Sequence, residues 1–196
     1  MPTTQSYLGN TSTLTWSSLA GGAFSALEVL TLTNTGGPSG NILATMSLTN
    51  TGNLPLSLFL FHMLDMDLQP TASNDTASLA GPNLIRLTDA GTNAAFYQGI
   101  GANAWLVRPF GATDIGAVMP DGAETNFNNS GLPFGPNDFT AGFQWNLLID
   151  PGQTLQAQVL VGVNDPLPAS DVPEPASFAL LAAGLLGMKL FRRWQS

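Results

Sequence analysis

ALEVLTLTNTGGPSGNILATMSLTNT, residues 26–51, decides the fold. From Ala26 to Thr35 threonine alternates with leucine, and from Ile42 to Thr51 the alternation returns. Successive side chains of a strand point to opposite faces, so each half reads as a strand with one apolar and one hydroxyl face. Asn34–Gly37 between them is turn chemistry, and Gly52-Asn53 ends the second run. TLTNTG (31–36) and TMSLTNTG (45–52) are alike, but no third copy follows. They read as neighbouring strands with similar turns, not as a repeat array.

Outward from this pair, Leu54 to Leu68 (LPLSLFLFHMLDMDL) is an apolar run longer than most strands, so a bend or bulge is expected in it. Further strand-like pieces are Leu84–Thr88, Ala94–Gln98, Ala104–Arg108, Thr125–Asn128, Phe139–Asp150 and Thr154–Val163. The last two read as a hairpin turning through Asp150-Pro151-Gly152-Gln153. Gly and Pro interrupt every stretch before residue 170 too often for a helical period. Short strands at such spacing predict an antiparallel β-sandwich, jelly-roll or Ig-like, over residues 1–170. A single C-terminal hydrophobic helix is expected to follow it.

Only 9% of the 196 residues are charged, against about 25% in ordinary soluble domains. Thirteen acids face five bases, a net charge of −8, which argues against nucleic-acid binding. The absence of cysteine excludes disulfides, thiolate metal sites and a cysteine nucleophile. An apolar fraction of 44% with 11 Phe and 4 Trp excludes a disordered acidic chain. Ser, Thr and Asn number 48 and do the solvating that Lys and Glu usually do, which suits an exported bacterial protein.

The body offers few groups for chemistry. His62 is the lone histidine, on one strand face with Leu58, Leu60 and Leu64, and reads as a hydrogen-bonded structural residue. A Ser-His-Asp arrangement would have to pass through it, and no G-x-S-x-G elbow is present. Asp65, Asp67 and Asp75 form the densest acidic group, and with Asn74 and backbone carbonyls they are calcium-type ligands. The spacing is not that of an EF-hand, and a solvated strand end with Asx turns is the alternative. Trp16, Trp105, Trp145 and Tyr97 read as core or as a sugar-stacking platform. No carboxylate pair is marked for glycoside hydrolysis, and Gly21-Gly22 and Gly36-Gly37 precede no helix that would cradle phosphate. No catalytic residue is assigned. The body reads as non-enzymatic, with a carbohydrate-binding or adhesive module and a secreted hydrolase as alternatives.

The charges are unevenly placed. Residues 1–170 carry 11 acids with only Arg86 and Arg108, whereas 171–196 carry Asp171 and Glu174 and then Lys189, Arg192 and Arg193. Val172-Pro173-Glu174-Pro175 is stiff and extended. It leads into the uncharged ASFALLAAGLLGM, 176–188, with Phe178, Leu180, Leu181, Leu185, Leu186 and Met188 as anchor residues. As a helix this run is about 20 Å long, short of the roughly 30 Å hydrocarbon core. Lys189 can snorkel, and Arg192 and Arg193 place the C-terminus on the cytoplasmic side.

This order of Pro-Glu-Pro element, short apolar helix and basic cluster resembles the PEP-CTERM sorting signal. The resemblance covers Asp171–Ser196 and implies recognition by an exosortase, a membrane-embedded cysteine transpeptidase. The tail would be held in the inner membrane and cut near Pro173-Glu174-Pro175, with Arg192–Arg193 as the stop-transfer cluster. It also implies a link to exopolysaccharide and biofilm, and a final place at the cell surface or outside the cell. LDMDLQPTASNDTASL (64–79) and DFTAGFQWNLLIDPGQTL (138–155) are similar to β-sandwich bodies that carry this tail. Residues 1–22 have neither a basic nor an apolar leader region, so the expectation is that translation starts further upstream, that the chain is a fragment, or that export is unconventional, with the first two favoured.

Overall fold

The computed structural model describes residues 1–68, 72–91, 93–119 and 125–168. Eleven strands lie among them: β1 (Thr4–Leu8), β2 (Thr11–Leu19), β3 (Phe24–Gly36), β4 (Ser39–Asn50), β5 (Leu56–Asp65), β6 (Thr76–Gly81), β7 (Leu84–Thr88), β8 (Ala94–Ile100), β9 (Ala104–Pro109), β10 (Phe139–Ile149) and β11 (Thr154–Val163). β3 and β4 are the two alternating runs that open the sequence argument, and they pair antiparallel with Leu30 opposite Ala44. The Asn-Thr-Gly that ends each alternating run forms the same Asx turn. Gly36 N–H donates to Asn34 Oδ1 at 2.8 Å, and Gly52 N–H to Asn50 Oδ1 at 2.9 Å.

The strands form two antiparallel sheets. The large one runs β1-β2-β3-β4-β11-β8-β7-β6 and the small one β5-β10-β9. Between them lies the core: Ile85, Leu87, Tyr97 and Val159 from the large sheet against Trp105, Phe143 and Trp145 from the small one. Alternation places these side chains inward, and each fully buried apolar one contributes roughly 1.5–3 kcal/mol. Two glycines let aromatic rings lie flat on neighbouring strands: Phe96 covers its partner Gly162, and Phe143 presses on Gly99 from the facing sheet.

Three strands cannot cover eight. On one flank the gap is sealed by the segment 125–138, which bonds β9 through Val107 N–H to the Ser130 carbonyl (3.0 Å) and β6 through both Ala77–Phe134 bonds (2.9 Å). Buried Gln144 fixes the start of that segment by accepting from Phe127 N–H at 2.7 Å. On the other flank β1, β2 and β3 extend past the small sheet, and none of their residues is fully buried. The sandwich is therefore closed on one side and open on the other.

Some details depart from the sequence reading. The run Leu54–Leu68 bends at its ends, at Leu54 and at Leu68, while β5 between them pairs with β10 without a register shift from Leu56 to Asp65. The irregularities fall instead at Trp16/Leu19, Asn34/Gly36 and Leu79/Gly81. Thr125–Asn128 is not a strand; the Gln144 side chain takes the Phe127 N–H where a ladder partner would. Asp150–Gln153 does turn, with Gln153 N–H donating to the Asp150 carbonyl at 2.9 Å, but it joins different sheets and makes no hairpin. One short helix, α1 (Ile115–Val118), also occurs, capped by the Asp114 side chain on Ala117 N–H.

Candidate functional site

Two features of the body stand apart from the packed core. The first is a groove on the open flank, about 380 Å³, between β5 and the inner face of β2, β3 and β4. Register explains its lining: Trp16 sits opposite Ala26, and Ala26 opposite Leu48, while Glu28 sits opposite Met46. These side chains share the inward face, beside Phe24 and, from β5, Leu60 and His62. Burial pushes the Glu28 carboxyl above its ordinary range.

His62 shares its face with Leu60 and Leu64, as the strand period requires. The Tyr97 hydroxyl donates to the His62 main-chain carbonyl at 2.8 Å, and His62 Nδ1 lies 2.8 Å from the same oxygen. With the phenolic proton used on the carbonyl, Nδ1 carries the imidazole proton and donates it to Tyr97. Burial lowers the His62 pKa and raises that of Tyr97 well above its ordinary value, so both stay neutral. The pair belongs to the core wall, in agreement with the structural reading of His62.

The second feature is the acidic end of the small sheet. Oxygens of Asp65, Asp67 and Asp138 all lie within 4.8 Å of one another. Asp138 precedes β10, and the pairing of Thr140 with Asp65 brings it there. Sequence reasoning missed Asp138, since nothing local joins it to Asp65 before that pairing is known. Asp75, expected as the third ligand, is not in this trio but is buried next to it, its Oδ2 accepting from Leu68 N–H at 3.3 Å. Burial, then the charges of Asp138, Asp67 and Asp114, raise the Asp65 pKa. Burial also raises that of Asp75, against the Leu68 hydrogen bond and with the charges of Asp67, Asp89 and Asp138.

The four expected aromatic residues do not form one platform. Trp105, Trp145 and Tyr97 are buried, with Trp145 Nε1 donating to the Ile100 carbonyl at 3.0 Å, so they are core. Trp16 alone of the four lines the groove. Phe24 and Phe61 accompany it there, and only the strand register could have associated them.

The sorting element Val172–Pro175, the anchor Phe178–Met188 and the basic residues Lys189, Arg192 and Arg193 lie outside the described residues. Among the described residues no helix is long and apolar enough to cross a membrane. Residues 171–193 match the PEP-CTERM protein-sorting motif, so the chain carries that signal, which implies export and exosortase processing. No curated protein matches the chain. Its fold is similar to the crystal structure of a "Putative aldose 1-epimerase" from Escherichia coli K12, at 11% identity and TM-score 0.52, covering 81% of this chain and 67% of that one. A "Putative kojibiose phosphorylase from human microbiome" is matched at 8% identity and TM-score 0.41, over 88% of this chain and 20% of that one.

Proposed function

We propose that this chain is a non-enzymatic module displayed at the bacterial surface or in the extracellular matrix, delivered there by exosortase processing. The observation that carries the reading is the sorting motif at 171–193, placed directly after a β body. The C-terminal run holds the chain in the inner membrane, Arg192 and Arg193 keep the end cytoplasmic, and cleavage near Pro173-Glu174-Pro175 frees the body. A hydroxyl- and amide-rich body with only Arg86 and Arg108 as cations suits a hydrated exopolysaccharide or biofilm environment. The one imidazole is committed to Tyr97, which supports a binding or structural role over hydrolysis. Intact-mass measurement tests the route. Mature protein from the producing organism lacks Leu185–Ser196, and deletion of the exosortase retains them; secreted material with a full tail overturns the reading.

A second reading, a carbohydrate-binding or adhesive module, is favoured by the groove. An indole and a phenyl ring beside one carboxylate suit a sugar, whose C–H faces stack on aromatics while its hydroxyls bond to oxygen. The aldose 1-epimerase structure that shares the fold has a name from carbohydrate chemistry, which is compatible with this reading, though the likeness shows the fold alone. Glycan binding lost in Trp16→Ala, with the near-UV circular dichroism unchanged, supports it; binding equal to the parent protein counts against it.

A further inference from the structure

We propose that the groove on the open flank takes an aminosugar, a glycan residue with a free ammonium group, and that Glu28 anchors that group. The inference rests on the carbohydrate-binding reading above and names the class of sugar. At about 380 Å³ the groove falls within the roughly 300–1,000 Å³ of small-molecule sites. Its walls are otherwise apolar and aromatic, with Trp16, Phe24, Leu48, Leu60 and Phe61. A sugar hydroxyl both donates and accepts, so a site for neutral sugars offers both kinds of partner. This groove is biased towards acceptors.

Glu28 is half-buried on the inward face of β3, opposite Leu14 of β2 and Met46 of β4. Among the described residues its carboxylate has no hydrogen-bond or ion-pair partner. His62 spends its one imidazole proton on Tyr97 through Nδ1, which leaves Nε2 an acceptor. That nitrogen has no partner among the described residues either, and it is not among their sealed atoms, which are Asp75 Oδ1 and Asp89 Oδ2. The Ser47 hydroxyl is turned to Gln156 on the other face of the sheet, so the Trp16 indole N–H is the one side-chain donor left in the lining. Neither basic side chain of residues 1–170 answers Glu28. Arg86 stands on β7, four places from β3 in the large sheet, and Arg108 gives its guanidinium to the Thr113 carbonyl at 2.9 Å. A carboxylate half-buried among rings is complemented by a ligand cation, which pairs with the charge and is drawn to the indole face. One aminosugar ring meets all three groups: its ammonium goes to Glu28, a hydroxyl donates to His62 Nε2, and its C–H face lies on Trp16. A lysine side chain brings the charge without the hydroxyls, and an N-acetylated sugar brings the hydroxyls without the charge.

The full chain, in detergent, is titrated by calorimetry at about pH 6, where such amines are cationic. The ligands are a glucosamine tetramer, its fully N-acetylated form, a glucose tetramer and tetralysine. The glucosamine tetramer binds at least about tenfold more tightly than the other three, as a charge-assisted hydrogen bond requires. Glu28→Gln removes that preference. Asp150→Asn, which deletes a charge in the exposed turn after β10, keeps it. If Glu28→Gln does not fold, the N-acetylated ligand carries the comparison, because it removes the charge from the other partner. Equal binding of the acetylated or the glucose tetramer overturns the aminosugar and leaves the carbohydrate reading standing. Equal binding of tetralysine, or a preference that survives Glu28→Gln, overturns the assignment of the ammonium to this groove. No binding of any glycan overturns both readings.

Discussion

Replacing Asn50 with alanine tests how the two sheets are joined. Asn50 ends β4 in the large sheet, is 1% exposed, and has every side-chain hydrogen-bonding group but one lone pair in use. Nδ2 donates to the Leu54 and Ile149 carbonyls, both at 2.8 Å, and Oδ1 accepts from Gly52 N–H at 2.9 Å. One amide thus ties the end of β4 to the entry of β5 and the exit of β10. Alanine removes three bonds worth about 1 kcal/mol each, and strands the buried Ile149 carbonyl at a cost of about 1–3 kcal/mol. Water can reach the exposed Leu54 and recover part of the loss. The net cost is about 3–4 kcal/mol, or about 6–16 °C in Tm for a domain of this size. Urea unfolding followed by the fluorescence of Trp105 and Trp145 measures it. A loss below about 1 kcal/mol would refute the claim that this amide clamps the sheets. Asn50→Asp should cost at least as much at neutral pH, since it turns two donors into an acceptor facing carbonyls.

Other outcomes follow from the packing and the titrating groups. A Cβ at Gly162 would stand 2.5 Å from Phe96 Cζ, so Gly162→Ala destabilises by about 1–3 kcal/mol, and Phe96→Leu in the same chain recovers part of that, as double-mutant denaturation will show. His62 is held neutral in the fold, so stability is full above its ordinary pKa of 6.5 and declines as pH falls from there towards the lowered value; His62→Asn flattens this slope in a Tm-against-pH series. Glu28, Asp65 and Asp75 have raised pKa values, so they contribute the opposite slope. Stability is greatest below the ordinary carboxyl range and falls as pH rises through the raised values; Glu28→Gln with Asp65→Asn reduces that fall. Gln144→Leu, which frees Phe127 N–H and the Asn126 and Asn146 side-chain carbonyls, loosens the segment 125–138, read as faster amide exchange at Phe127 and Ser130.

β3, β4, β7 and β11 were legible to within a few residues, because apolar and hydroxyl or amide residues alternate in β3, β4 and β11, and β7 is a short apolar run between turn signals. β1 was not legible: all five of its residues are exposed, so TQSYL has no inward face to mark. The turn at 150–153 was visible while its role was not, since a turn sequence does not say which sheet the next strand joins. At the acidic end Asp65 and Asp67 were readable from adjacency. Asp138 required the β5–β10 register, and the seclusion of Asp75 required the loop 134–137 to lie over it. Trp105 and Trp16 look alike in sequence; only the unequal size of the sheets buries one and leaves the other lining a groove.

The place of β11 bears on the order of folding and on the tether to the sorting motif. It is the last strand among the described residues, yet it lies between β4 and β8 and alone joins the two halves of the large sheet. Thr49 and Thr154, bonded through their hydroxyls, are 105 residues apart in the chain. The halves cannot merge until β11, which ends at Val163, is available to pair, and contacts so distant in sequence form slowly. Only seven residues, 164–170, separate Val163 from Asp171, a leash of at most about 29 Å over eight steps of 3.6 Å. The strand that completes the large sheet is therefore also the one tethered nearest the sorting motif, so its docking limits how far the folded body can stand from that motif.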